Sequence, residues 1–341
     1  MVSSGLLSVD TFFLLSGFLM SYLSLKEYEK KRSINFMAPF FSYLHRYIRL
    51  TPAYALLMLI YSTLFLHLGT GPKFGSLENE VFACHEQWWK NLLYINNLFQ
   101  NNGPECMGVT WYLACDFQMF LLGPWIMILL WKFKKFAKFI LPTLLVISCA
   151  IPGILTGIND WPPLVTSAIL NPDWQSQFYY RSYTRSTPYI WGIVFGYLMH
   201  QFKMRGSPKY PRIFALVGWT ITTATCLAAV FGLVSYWPFN VTCLTQQCYT
   251  TVAAVLWASF GRLAWAMGVS WIIFACVTGN GGLINSFLSW SLFAPLSRLT
   301  YAIYLIHYPM ILLFYYTSDL PIHYDIYLMV SPKKLKKTYN P

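Results

Sequence analysis

Residues 110–131 form a stretch dominated by apolar side chains, with one carboxylate, Asp116, inside it. About 20 such residues cross a bilayer as a single helix. Lipid leaves that segment little alternative, because it cannot satisfy backbone N–H and C=O groups. A carboxylate in hydrocarbon costs roughly 3 kcal/mol unless it is paired or faces a wet cavity. Tyr112, Asp116 and Phe120 recur at i, i+4 and i+8, so a polar and aromatic stripe runs down one helix face. Asp116 is either an anchor bonded to a neighbouring helix or part of a functional site, the default for an embedded acid.

The same pattern repeats along the chain. Apolar segments near residues 5–25, 50–68, 110–131, 139–158, 188 onward, 213–236, 252–277 and 292–316 predict an all-α, polytopic transmembrane bundle of about eight spans. Only 11% of the 341 residues are charged, against about 25% in a soluble domain. A formal charge of +12 raises the question of nucleic acid. Its distribution argues against that partner. Fourteen of the 24 Lys and Arg fall in three short inter-span loops, at 26–49, 132–138 and 203–212, which is the positive-inside pattern. Those loops are therefore expected in the cytosol, and residues 69–108 and the loop around Asn240 on the luminal or outer side. The chain is read as one membrane domain, 1–316, followed by a divergent polar tail, 317–341.

Several side chains invite a chemical reading. Arg46 and Arg49 lie three apart, neighbours on a helix face just below the membrane. They serve as interfacial snorkels or as a clamp for the phosphates of an acyl donor. Asp10 and Gly17 share a face of the first span. Gly192 and Gly196, in GIVFG, suit close helix packing. Arg262 falls near the middle of its span, and Arg181 and Arg185 in a luminal loop, 159–185, before a span that starts near Pro188. Thr300, Tyr304 and His307 face one way, with Arg298 on the opposite side. His307 is a packing residue or a catalytic one. Cys84 and Cys106 are expected to be bridged, and Cys243 and Cys248 to form a second disulfide, both in an oxidising lumen. The other four cysteines are read as core. Asn240-Val241-Thr242 is a glycosylation sequon in a loop the charge count makes luminal. No His/Cys set has zinc spacing, so no metal is expected.

The motifs VDTFFLLSGFLMSY, LHRYIRLTPAYAL, MGVTWYLACDFQMFLLGP, YTRSTPYIWGIVFGYL and GNGGLINSFLSW…PLSRLTYAIYLIHYP resemble, in order, the acyltransferase 3 family, and among its members the nose-resistant-to-fluoxetine-like animal branch. The resemblance implies an integral membrane protein of ten or more helices. It would transfer acyl groups, other than aminoacyl, from acyl-CoA or a lipid donor to a hydroxyl on a lipid or small molecule, in the endoplasmic reticulum or plasma membrane. By residue-wise matching, Asp116, Asp10, His307 and Tyr112 are the candidate catalytic residues. Arg46, Arg49 and Arg298 are candidates for the acyl donor. Trp111, Gln118 and Arg185 are candidates for the luminal substrate side. Active members carry a catalytic His before the VDTFF-type span and continue with further spans, so the resemblance also implies a chain shortened at both ends. The competing expectations are a lipid or xenobiotic transport protein, with the buried polar residues lining a path, and an inert shortened form.

Overall fold

A computed structural model describes residues 6–32, 36–71, 73–99, 103–162, 172–206, 210–232 and 250–318. Among these residues the chain is helical and contains no strand. Ten helices of seven residues or more follow in order: α1 Leu6–Lys31, α2 Ala38–Thr63, α3 Glu78–Leu92, α4 Trp111–Lys132, α5 Ala137–Asn159, α6 Ser182–Met204, α7 Arg212–Phe231, α8 Thr251–Val277, α9 Gly282–Leu288 and α10 Phe293–Tyr316. Eight of them have 20 residues or more, one for each expected span. Six are long and apolar enough to cross a membrane, so the protein is integral to one. The two long helices outside that set are α2 and α6. They carry His45, Arg46 and Arg49, and Arg185, His200 and Lys203, which lower their hydropathy; all but the exposed Lys203 face another helix or a cavity.

At the centre, α6 lies against α1. Ser21 Oγ donates to the Ile193 carbonyl at 3.0 Å, and a Cβ on Gly192 would meet the backbone of Leu14, Gly17 and Phe18. The small-residue pattern of GIVFG thus brings two backbones together. Phe13, Trp111, Cys115, Met119, Tyr189 and Ile193 form the main apolar core between α1, α4 and α6. On the far side, α5 and α8 close on α6. Thr187 Oγ1 donates to Ser148 O at 2.7 Å, and Trp191 Nε1 to Ser270 Oγ at 2.9 Å. Tyr54, Tyr94, Leu113, Phe117 and Leu305 make a second core where α2, α4 and α10 meet.

Three features differ from the sequence expectation. Helix α2 starts at Ala38, not near residue 50, so Arg46 and Arg49, expected in the loop at 26–49, lie inside a long helix. Helix α6 starts at Ser182, not near Pro188, and so takes in Arg185. Proline favours the first turn of a helix, yet here it sits in the seventh position. Residues 69–108 are not an irregular loop, because α3 lies within them. Its apolar positions recur with helical period but span too few residues to register as a membrane segment. Val81, Ala83, Cys84 and Asn91 are its buried residues; Val81 and Cys84 pack with Met58 and Tyr61 of α2 and with Phe65 just beyond it. Tyr308 of α10 donates to Glu80 at 2.6 Å, and burial pushes the Glu80 carboxyl above the usual range.

The Cys84–Cys106 disulfide is formed and buried. Asn91 Nδ2 donates to the Cys106 carbonyl at 2.9 Å beside it. The bridge joins positions 22 apart, for which the chain-entropy model gives about 3 kcal/mol. We expect Cys84→Ser/Cys106→Ser to lower the melting temperature of the purified protein without changing its helix content. Two free thiols in a non-reducing peptide map of the unmodified protein would contradict the bridge. Of the other four cysteines, Cys115 and Cys149 are buried, while Cys226 and Cys276 are half-buried. Cys243, Cys248, Asn240 and nearly all of the tail lie outside the described residues.

Candidate functional site

A cavity of about 1070 Å³ opens between α1, α2, α4 and α10. Ser8 and Lys31, near opposite ends of α1, both line it. At 1.5 Å per residue they lie about 35 Å apart, slightly more than the hydrocarbon thickness of about 30 Å. One end is formed by Ser8, Val9, Val109 and Tyr179, the other by Glu27, Lys31, Ala38 and Phe41.

Between the ends, Arg46 of α2 meets Asp116 of α4 in an ion pair. The two helices run antiparallel, and Tyr43 Oη, one turn earlier, donates to Leu121 O at 2.6 Å. Phe120 sits one turn from Asp116, and its ring lies 4.2 Å below the Arg46 guanidinium carbon. The pair is only partly shielded: the side chains are 23% and 13% exposed. Asp116 Oδ1 and Arg46 Nε are buried and have no hydrogen-bond partner among the described residues. A polar atom in that state favours an occupant that can bond to it.

Tyr112 continues the stripe. Its ring is 4.9 Å from Phe13 and 5.5 Å from Tyr304. Tyr304 Oη donates to Val109 O at 2.9 Å, and Tyr301 Oη to Leu50 O at 2.8 Å. These bonds hold α10 against α2 and the entry to α4. His307, one turn beyond Tyr304, contacts the Tyr304 carbonyl through Nδ1. A carbonyl only accepts, so this contact is a hydrogen bond in the tautomer that carries its proton on Nδ1, which leaves Nε2 free to face the cavity as an acceptor.

A second ion pair lies behind the wall. Arg185 Nη1 is 3.5 Å from Asp10 Oδ1, with both side chains almost fully buried. Arg185 also donates through Nε to Tyr179 O at 3.1 Å. Its guanidinium lies 4.3 Å from the Tyr179 ring and 5.3 Å from that of Trp111. Trp111 and Tyr179 both line the cavity, so this buried pair fixes part of its surface from outside.

The structure therefore brings Arg46, Arg49, Trp111, Tyr112, Asp116 and His307 onto one cavity. Asp10 and Arg185 stand one layer back. Gln118 lies off the cavity: its amide nitrogen donates to Tyr94 O at 2.8 Å and Asn97 Oδ1 at 2.7 Å, which ties α4 to the segment before it. Arg298 is exposed on α10 and does not line the cavity, although Ser297, Thr300 and Tyr301 do. Sequence reasoning overlooked His45, which lines the cavity with Arg49 one turn away. The i, i+4 spacing of these two was the available signal. It also left Asp116 without a named partner, although a membrane acid calls for one.

Comparison with known proteins agrees with this picture. Residues 1–331 match the acyltransferase 3 family, described as an acyltransferase domain. The chain is 34% identical over 345 residues to nose resistant to fluoxetine protein 6 of Caenorhabditis elegans, covering 95% of this chain and 41% of that protein. It is 24% identical over 334 residues to O-acetyltransferase OatA of Staphylococcus aureus, covering 94% and 49%. It is 26% identical over 359 residues to regulator of hypoxia-inducible factor 1 of Caenorhabditis elegans, covering 95% and 64%. The chain thus spans about half the length of the curated relatives it matches. No solved structure matches it. The chain belongs to the acyltransferase 3 family, and its resemblance within that family is to the nose-resistant-to-fluoxetine branch.

Proposed function

We propose that this protein transfers an acyl group from acyl-CoA or a lipid donor to a hydroxyl on a lipid or small-molecule acceptor, and that the cavity between α1, α2, α4 and α10 is where the transfer occurs. The observation that carries the reading is a single cavity about as long as the bilayer is thick, with an ion pair and a histidine along its wall. A donor entering from the Lys31 end meets Lys31, His45 and Arg49, groups suited to phosphate. An acceptor entering from the Ser8 end meets Trp111 and Tyr179. In the orientation predicted by the basic loops, these ends face the cytosol and the lumen.

The step needs a base and a place for developing charge. His307 Nε2 takes the acceptor proton, and the hydroxyl oxygen attacks the acyl carbon. The bond to the donor sulfur or oxygen then breaks, and the leaving group receives the proton. Arg46, held by Asp116, stabilises the oxyanion, and Tyr112 orients the acceptor against the stripe. Asp10 acts through Arg185 on the cavity wall. Membrane lipid is the expected neighbour, in the endoplasmic reticulum or plasma membrane. Asn240 glycosylation and a Cys243–Cys248 bridge belong to the same proposal, as features of its luminal side.

A second reading, transport of a lipid or xenobiotic, draws on the same length of cavity, which reaches from one end of α1 to the other. One experiment separates the two. The purified chain is placed in nanodiscs with radiolabelled acyl-CoA, alone and with lipid extract, and released CoA is measured. We expect CoA release above that of empty discs, abolished by His307→Ala. No release, combined with uptake of a lipophilic probe by liposomes carrying the chain, would favour transport.

A further inference from the structure

Five long helices carry internal prolines: Pro52 in α2, Pro124 in α4, Pro142 and Pro152 in α5, Pro188 in α6 and Pro309 in α10. Each removes the N–H that would bond the carbonyl four residues earlier. Two of the freed carbonyls are met by side chains from a neighbouring helix. Pro152 frees Ser148 O, which accepts from Thr187 Oγ1 of α6 at 2.7 Å. Pro188 frees Thr184 O, which accepts from Arg262 Nη1 of α8.

Arg262 lies in a segment apolar and long enough to span the membrane, where a cation needs an acceptor. Its guanidinium also lies 5.5 Å from the Phe178 ring. Three residues along α8, Trp265 Nε1 donates to Thr11 Oγ1 of α1 at 2.8 Å. One helix thus grips both α6 and α1 beside the Arg185–Asp10 pair. Thr184 is fully buried, and its hydroxyl donates to Arg181 O at 2.8 Å. The residue after it is Arg185.

We propose that Arg262 is a positioning residue of the cavity: it occupies the Thr184 carbonyl that Pro188 leaves without a helical donor, and so holds the first turns of α6 where Arg185 can reach Asp10 and back the Trp111–Tyr179 wall. Its effect on turnover rests on the proposed acyl transfer in the cavity, but the geometry does not. Pro188 and Arg262 are then a matched pair. The proline creates the vacancy, and the arginine fills it. Without Arg262 the carbonyl is buried and unmet. Without Pro188 the helix closes its own bond, and the guanidinium loses its acceptor.

The test uses the full chain in nanodiscs with 15N-labelled arginine, in four forms: unmodified, Arg262→Met, Pro188→Ala and the double variant. The Arg185 Nε–H signal is assigned by its loss in Arg185→Lys. In the unmodified chain that proton, bonded to Tyr179 O, is expected to exchange slowly with solvent. Arg262→Met is expected to lower the melting temperature by several degrees and to make the Arg185 signal exchange fast. The double variant regains most of both, because residue 188 now donates to Thr184 O and no cation is stranded. An unchanged Arg185 signal in Arg262→Met overturns the proposal, as does a double variant whose losses are the sum of the single ones. If Arg262→Met does not fold, the double variant decides: its folding supports the pairing, and its failure to fold refutes it. None of these readings needs turnover, so absence of CoA release in every form would count against the proposed transferase without touching this result.

Discussion

Asp116→Asn is expected to lose most of the CoA-releasing activity while still folding and expressing. The substitution keeps the size of the side chain and its ability to accept a hydrogen bond, and removes one charge. Arg46 then faces Phe120 and the cavity without its counter-ion. Beside a partly shielded cavity an unbalanced guanidinium attracts whatever anion is near, so the oxyanion it should meet is replaced as its best partner. Loss of a charge that orients a catalytic group has cost about four decades of rate in a known triad; a loss of two or more is the outcome expected here. The stability effect is smaller. Breaking a fully buried pair costs roughly 3–5 kcal/mol, but these side chains are 23% and 13% exposed and border a cavity that can admit water, which reduces that cost.

The double variant Asp116→Asn/Arg46→Gln distinguishes catalysis from packing. If the pair only staples α2 to α4, removing both charges at once restores stability and activity together. If the pair works on the reacting group, the double variant regains melting temperature and stays inactive. Near-normal turnover in Asp116→Asn would reduce the pair to a structural bond and shift weight to His307 alone.

How much of this was legible in the sequence follows from what each signal depends on. The spans were legible because hydrocarbon demands length and apolarity, and both are local properties. The shared face of Tyr112, Asp116 and Phe120, and that of Thr300, Tyr304 and His307, were legible because helical period fixes them. All six line the cavity. The partners were not legible. Asp116 with Arg46 and Asp10 with Arg185 join residues 70 and 175 positions apart, and a single sequence holds no ruler for such pairs. Helix α3 was missed because an amphipathic helix of 15 residues is too short and too polar to look like a span. The early start of α6 was missed because Pro188 looks like a helix beginning unless the side chain that repairs its missing bond is known. That side chain, Arg262, is 78 positions from the carbonyl it meets.

The packing of α1 on α6 gives the largest expected effect on folding. Gly192→Val should abolish accumulation of folded protein, and Gly192→Ala should leave a sharply destabilised one. A Cβ at position 192 would stand 2.9 Å from Phe18 N and 3.2 Å from Gly17 C, and closer still to Leu14 O. The obstacles are backbone atoms of a helix, which cannot rotate out of the way as a side chain can. Overpacking a core ordinarily costs about 1–3 kcal/mol; here relief requires the whole of α1 to move. That movement would pull Ser21 from the Ile193 carbonyl and separate Asp10 from Arg185, so the loss extends to the cavity wall. Gly17→Ala meets Tyr189 O from the other side and should behave alike. Gly75→Ala is the control, because a Cβ there has nothing within 4 Å and should leave melting within about 0.5 kcal/mol of the unmodified chain. Fluorescence-detected size exclusion and thermal melting of the four variants and the unmodified chain give the order directly. Equal melting of Gly192→Ala and Gly75→Ala would mean that α1 and α6 do not touch along this seam, and that Arg185 of α6 does not back the cavity wall through Asp10.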